Sequence, residues 1–305
     1  MSSSETVTKD HSSCSGCSLC LLACPVWRQS RDIRLTPHGR AKALQNGATA
    51  GDIAGSVSQC TLCGACEPAC PEDIPLVDQI LALRRDVPLA TVTFTERSPG
   101  PVAEALLLPG RHLAADRLVR AATLLGCTVA ADDGADIALA LETGTPLPEG
   151  RLRAFLDSLR GARRLVVAEG LMLRKLREWL PDVRAASLGA ALSAHEAIRG
   201  KLKASDLYVI EPRAFNGDQA ALVGHYDALR VSTGCMTNLD LQRLAIPTTA
   251  SAAQHALGLP AIDAREQARW ILEGHAVERV VVEDAADCAV FAAVTDRPVL
   301  HVADL

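Results

Sequence analysis

Aromatic residues are scarce in this chain, at 3% of 305 positions, so any core must be built from Ala, Leu and Val. No run approaches the ~18 consecutive apolar residues of a membrane-spanning helix, which excludes a span by this chain itself. Neither G-x-G-x-x-G nor G-x-x-x-x-G-K occurs, so no nucleotide-phosphate loop is signalled. No Ser-His-Asp arrangement can be argued, and the eight histidines are dispersed. His112, His225 and His255 have no partner at ligand spacing and read as surface or satisfied polar groups. A basic excess is lacking too: the net charge is −5, without the positive stripe expected of a nucleic-acid binder. The polar opening at residues 1–13 has no apolar stretch of the secretory kind, which leads to the expectation of a cytoplasmic protein.

What remains is an ordinary globular composition, 49% hydrophobic and 22% charged, long enough for two domains. Its unusual feature is cysteine. Eight of the 11 cysteines fall in two tight groups, at 14–24 and 60–70, leaving Cys127, Cys235 and Cys288 scattered. Clustered thiols in a reducing compartment point to metal before disulfide.

The first group reads Cys14-Ser-Gly-Cys17-Ser-Leu-Cys20-Leu-Leu-Ala-Cys24-Pro25. The second reads Cys60-Thr-Leu-Cys63-Gly-Ala-Cys66-Glu-Pro-Ala-Cys70-Pro71. Both are C-x2-C-x2-C-x3-C-P, the run that holds [4Fe–4S] clusters in bacterial ferredoxins. Three thiolates wrap one cluster, while the fourth turns away to the other. The expectation is therefore two [4Fe–4S] clusters with crossed ligation. Cys14, Cys17, Cys20 and Cys70 hold the first; Cys60, Cys63, Cys66 and Cys24 hold the second. Gly16, Ser18, Gly64 and Ala65 leave backbone amides free to approach, and glycine tolerates an unusual φ. Pro25 and Pro71 fix φ just beyond the last ligand and remove an N–H. Two four-thiolate zinc sites would use pairs of C-x2-C and leave the third step and the Cys-Pro ending unexplained. A purely structural pair of clusters is the other alternative, although a staple needs only one cluster whereas two make an electron path.

Between the runs, residues 40–45 are good helix formers with Asn46-Gly47 as a stop, and residues 74–85 read as a second helix closed by Val87-Pro88. Residues 1–88 thus form a mostly helical unit, followed by a linker at 89–100. Trp27 reads either as a cluster shield, a partner contact or ordinary packing.

Residues 11–85 resemble the iron–sulfur subunits of the heterodisulfide reductase C, glycolate oxidase and anaerobic glycerol-3-phosphate dehydrogenase type. These place a Ser/Thr-Pro-x-Gly-Arg element between the runs, here Thr36-Pro37-His38-Gly39-Arg40. The resemblance implies an electron relay between a flavoprotein dehydrogenase and a further acceptor: a quinone-linked membrane protein, an electron-transfer flavoprotein or a ferredoxin. Membrane association would come only through such a partner.

From residue 101 the pattern alternates strand and helix. Residues 102–108, 117–125 and 137–141 read as strand, helix and strand; 165–168 and 171–180 as strand and helix; 280–283 and 285–293 as a repeat of that pair. Residues 101–200 and 201–305 therefore read as two copies of one α/β unit with a mainly parallel sheet. The fold class is α+β overall: a helical two-cluster ferredoxin-type domain, then a tandem-repeat α/β domain. This layout resembles the CCG domain of heterodisulfide reductase B, whose halves carry Cys-Cys-Gly and Cys-x-x-Cys. Here those thiols are almost all missing. Pro109-Gly110-Arg111 replaces a Pro-Gly-Cys, and Ala168-Glu-Gly-Leu and Glu283-Asp-Ala-Ala replace the Cys-Pro-x-Cys stretches. Cys235 alone survives of a Cys-Cys-Gly, and one cysteine cannot hold a cluster, so the extra metal site is expected to be lost.

Cys127 and Cys288 lie on apolar segments and read as buried small hydrophobes. Arg174-Lys-Leu-Arg177 reads as a solvated helix face, with docking of an acidic partner as the alternative. The leading expectation is an electron-transfer subunit without catalysis of its own. The rival is a catalytic, heterodisulfide reductase-like subunit acting on a disulfide or small molecule, which the missing thiols disfavour. If Cys235 is no ligand, Cys235→Ser leaves the iron content of the anaerobically purified chain unchanged; a loss of iron would make it one.

Overall fold

The computed structural model describes residues 9–95, 97, 100, 103–240 and 243–305. The first eight residues of the polar opening, Val102 of the first expected strand and parts of the 89–100 linker lie outside the described residues.

The cysteine-bearing part is helical. Its longest elements are Pro37–Gln45 and Leu76–Asp86. The first begins three residues before the expected helix at 40–45, because Thr36 caps it and Pro37 occupies its first turn, where a missing N–H costs nothing. Leu76–Asp86 turns Leu76, Val77, Ile80 and Leu81 inward at helical spacing.

Eight short strands follow: β1 (Ala105–Leu108), β2 (Thr128–Val129), β3 (Arg164–Val167), β4 (Arg184–Ser187), β5 (Asp206–Val209), β6 (Met236–Thr237), β7 (Arg279–Val282) and β8 (Val299–His301). They form two four-stranded sheets ordered β2-β1-β3-β4 and β6-β5-β7-β8, with every pairing parallel. The two sheets thus share one topology, with β5 standing where β1 stands and β7 where β3 stands.

Side chains alternate across each strand, and both faces are covered, as a parallel sheet requires. Leu107, Val166, Tyr208 and Val281 point into one common core shared by both sheets. Their neighbours Leu106, Leu108, Leu165 and Val167 face a second core on the far side of the first sheet. Leu207, Val209, Val280 and Val282 face a third, behind the second sheet. Burying Val, Leu or Tyr this completely contributes on the order of 2 kcal/mol per side chain.

The segment 137–141 is helical and not a strand: it lies inside Ala135–Thr143, bounded by left-handed Gly134 and Gly144. Its Ala and Leu residues are strong helix formers with a single β-branched neighbour. The place beside β1 is taken by β2, which pairs Thr128 and Val129 with Leu106 and Leu107.

The helical part and the α/β part pack directly on each other. Leu62, Val77, Ile80 and Leu81 join Leu171 in one apolar cluster, with Leu141 against it. At this seam Gly144 has φ +78, and a Cβ there would stand 2.0 Å from the Arg84 carbonyl oxygen. Gly144→Ala is therefore expected to cost about 2 kcal/mol or more, from left-handed strain and the backbone clash together. A thermal melt followed by circular dichroism checks this; an unchanged midpoint would contradict the close approach.

Candidate iron–sulfur centre and the adjoining charged pocket

The two cysteine loops have the same backbone. In the first, Gly16 (φ 84) and Ser18 (φ 66) are left-handed; in the second, the equivalent Leu62 (φ 56) and Gly64 (φ 74) are. The turn that follows each of the first two cysteines thus needs positive φ, which the glycines accept freely and Ser18 and Leu62 adopt at a cost. Ala65 is not among them. Leu62 was not visible as a special position, since nothing in its residue type favours this conformation. Its burial at 2% exposure beside Val77, Ile80, Leu81 and Leu171 holds it there.

The Thr36-Pro37-His38-Gly39-Arg40 element braces both loops. The Thr36 hydroxyl accepts from the Gly39 amide at 3.2 Å and donates to the Ile33 carbonyl at 2.6 Å. Gly39 is obligatory, because a Cβ would stand 2.1 Å from the Ile33 carbonyl oxygen. His38 Nδ1 lies 3.1 Å from the Ser18 hydroxyl in the first loop. Buried Arg40 donates to the Leu35 and Ser56 carbonyls, at 3.0 and 3.1 Å, just ahead of the second loop. Lys42 and Gln45, one turn further on, both donate to the Cys14 carbonyl.

Cysteines of the two runs lie close to one another. Cys24, Cys60, Cys63 and Cys66 line one internal cavity, with Pro25, Arg40 and Val77 completing its wall. Burial pushes the Cys63 thiol up to about 12, with Cys24 and Cys60 adding to the rise against the Ala65 amide. Burial likewise raises Cys66 well above its ordinary value, helped by Cys63, Cys60 and Cys24. Cys20 is pushed up to about 12 by burial and then by Cys24, Cys14, Cys17 and Cys70. Cys70 therefore stands within electrostatic reach of the first run, and Cys24 within reach of the second. Cys24 also precedes the helix Pro25–Ser30, whose Trp27 and Val26 amides, with Arg40, oppose its upward shift by burial. Four cysteines on one cavity offer soft thiolate donors, the kind that iron–sulfur clusters take. Among the described residues, no group of three or more His, Cys, Asp or Glu is arranged to hold a single metal ion.

The two loops differ in surroundings. Cys17 is exposed, and Leu19 and Leu22 beside it are 41% and 68% exposed. The second loop is gripped from behind. Arg84, fully buried, donates to the Cys60 carbonyl, to Val57 at 3.2 Å and to Glu142 at 2.5 Å. Arg213 donates to the Thr61 carbonyl at 3.0 Å, Asn216 to Cys63 at 3.1 Å, and Gln254 to Ser58 and Cys60 at 2.7 and 2.8 Å. Arg174 and Lys175, read as a solvated face, instead hold Glu67 and Asp78 of the helical part. The acidic partner of that helix is the chain itself.

Beyond this grip lies a pocket at the carboxyl ends of the strands, the usual ligand position in α/β sheets. Arg111, Ala168 and Glu283, at the positions where the sequence led to the expectation of missing cysteines, all line it, with Glu169, Glu211 and Arg213. Glu142 sits behind it at 1% exposure, accepting from Arg111 at 2.6 Å, from Arg213 and from the Ala253 amide. Burial would raise its carboxyl, but Arg213 and Arg111 outweigh that and hold it down at about 2. Arg111 also donates to Glu169 at 2.8 Å. Charge pairs thus occupy the ends of the strands where thiols were expected to be absent. Cys235 is buried at 3% exposure. Cys127 and Cys288 are only half-buried, each with a guanidinium close by (Arg164 at 3.4 Å and Arg117 at 3.7 Å), which corrects their reading as plain core residues. His225 is satisfied by Ser193 at 2.8 Å.

Residues 10–74 match the 4Fe-4S dicluster domain family. The chain is also similar to lactate utilization protein B of Macrococcus caseolyticus (strain JCSC5402), at 35% identity over 104 residues. That stretch covers 32% of this chain and 20% of the relative, so the chain spans about a fifth of the relative's length. No solved structure matches. The protein is an iron–sulfur protein with an N-terminal ferredoxin-type domain, a metal-binding module of electron transport. No helix among the described residues is long and apolar enough to cross a membrane.

Two carboxyls in the pocket carry a pH dependence. Glu283 accepts from the Tyr208 and Tyr226 hydroxyls, each at 2.8 Å, and from the Glu211 amide at 2.9 Å. Burial pushes it up to about 7 despite these bonds, and pushes Glu211 up to about 8 with Asp284 adding to the rise. Both values lie above the ordinary 4.5, so the folded chain holds more protons than the unfolded one across this range. Their stabilising contribution is complete below pH 4.5 and fades as pH rises through about 7 and about 8. Glu283→Gln is expected to make the decline of unfolding free energy between pH 4.5 and 7 shallower than in the parent chain. Urea unfolding at a series of pH values measures it, and identical slopes would refute the assignment.

Proposed function

We propose that the chain is an electron-transfer subunit that relays single electrons through two [4Fe–4S] clusters, between a flavin-containing dehydrogenase and a further acceptor. Cys14, Cys17, Cys20 and Cys70 hold one cluster, and Cys60, Cys63, Cys66 and Cys24 the other. The observation that carries this reading is the cavity lined by Cys24 together with Cys60, Cys63 and Cys66, a set drawn from both runs. When bound, such clusters supply one-electron storage at potentials tuned by charge, hydrogen bonds and exposure.

The chain's own residues support a relay between surface and interior. Cys17, Leu19 and Leu22 present the first loop to solvent, where a redox partner can approach. The second loop is bonded from the interior side by Arg84, Arg213, Asn216 and Gln254. The name of the relative, a lactate utilization protein, fits a partner dehydrogenase acting on an organic acid. A quinone-linked protein, an electron-transfer flavoprotein or a ferredoxin would complete the path, in a cytoplasmic setting. A catalytic role for the α/β part is disfavoured by its pocket, where Arg111 and Arg213 are paired with Glu142 and Glu169 and no cysteine is among the lining residues.

The crossed arrangement makes a sharp test. The anaerobically reconstituted chain should hold about eight irons, as two four-iron clusters require. Cys70→Ser and Cys17→Ser should remove the same electron paramagnetic resonance signal, and Cys24→Ser and Cys63→Ser the other. Grouping of Cys70 with Cys60, Cys63 and Cys66 would sink the assignment, and a chain with tightly bound zinc would sink the whole reading.

A further inference from the structure

The carbonyls of the second loop have an unusual set of partners. Those of Val57, Ser58, Cys60, Thr61 and Cys63 all accept from side chains distant in sequence: Arg84, Arg213, Asn216 and Gln254. Three of these four donors come from the α/β part. Asn216 is itself fixed, exchanging bonds with the Ala245 amide and carbonyl at 3.1 and 3.2 Å. Arg84 and Arg213 both converge on Glu142, the first through its carbonyl and the second through its carboxylate. Among the described residues the first loop is held more lightly: its Cys14 carbonyl by Lys42 and exposed Gln45 of the adjacent helix, and the Pro25 carbonyl just past it by Gln267 at 3.5 Å.

We propose that Arg84, Arg213 and Glu142 are positioning residues which clamp the second cysteine loop and set the reduction potential of the cluster held there, independently of the first. This rests on reading the eight cysteines as cluster ligands. Each one-electron reduction adds negative charge to a cluster, so a buried cation nearby favours the reduced form and a buried anion opposes it. Three guanidiniums reach the loop or its cavity: Arg84, Arg213 and Arg40. Against them stand Glu67 of the loop itself, which Arg174 pairs at 2.6 Å, and Glu142 one layer further back, so the balance felt by the loop is cationic. The α/β part, stripped of its own thiols, thereby becomes the tuning shell of a cluster bound by another part of the chain.

The experiment is a redox titration of the full-length, two-cluster chain, followed by electron paramagnetic resonance, with iron and sulfide assayed on each sample. Arg213→Gln should shift one midpoint downward and leave the other in place. Glu142→Gln should shift the same midpoint upward. Opposite signs at one cluster are a result that simple loosening of the fold does not produce. Should either variant fail to fold or lose iron, Gln254→Ser decides, since it deletes only neutral bonds to the loop, with Asn216→Ser, which also removes the bonds to Ala245, as a second neutral variant. These should displace the same signal alone, whereas Lys42→Gln should displace only the other. Midpoints that stay put in all variants, or that move together for both clusters, overturn the inference. A parent chain without about eight irons fails at the earlier step instead, and so indicts the reading of the cysteines and not the clamp.

Discussion

The rest of the structure depends on a buried charge set where the two halves of the chain meet. Arg84, Arg213 and Arg111 surround Glu142, which is almost completely inaccessible. Burying charges is expensive unless each is paired and its remaining donors are used. Here Arg213 pairs with the Glu142 carboxylate and donates to the Thr61 carbonyl. Arg84 donates to the Val57, Cys60 and Glu142 carbonyls, with no partner for its Nε among the described residues, so placing these charges and fixing the loop form one linked requirement. Neither half could meet it alone: Arg84 belongs to the helical part, Glu142 and Arg213 to the α/β part.

The same seam closes the strand ends of the α/β part. Parallel sheets converge at the carboxyl ends of their strands, where backbone amides and helix starts create a polar crevice that must be filled. Arg111 fills it by pairing with both Glu142 and Glu169, and Glu211 and Glu283 accept backbone amides in the second sheet. Gly170 and Gly189 permit the close approach: a Cβ on either would fall within 2.5 Å of a Glu211 or Glu283 carboxylate oxygen. The crevice thus serves packing between the sheets and support of the cysteine loop behind it.

Much of this was legible in the residues. The C-x2-C-x2-C-x3-C-P spacing named its chemistry because cluster ligation is a local constraint on a short loop. The repeated Leu-Val-Val-Ala and Val-Val-Val-Glu segments marked β3 and β7, since parallel strands buried on both faces are written as continuous apolar runs. The run at 137–141 misled for the same reason: a short apolar stretch of Ala and Leu looks alike in a buried helix and a buried strand. Arg174 and Lys175 misled because a charged helix face looks solvated until Glu67 and Asp78 are brought against it.

The sequence by itself determined which residues can bind iron, that they come as two like loops, and that two α/β repeats follow. Each of these rests on neighbours in the chain, where spacing and periodicity carry the physics. Only the tertiary structure decided that Leu62 is held left-handed, and that the second loop hangs from Arg84, Arg213, Asn216 and Gln254. Those contacts join residues up to 196 positions apart. Their partners are fixed by how the sheets and helices pack, and no local pattern records that.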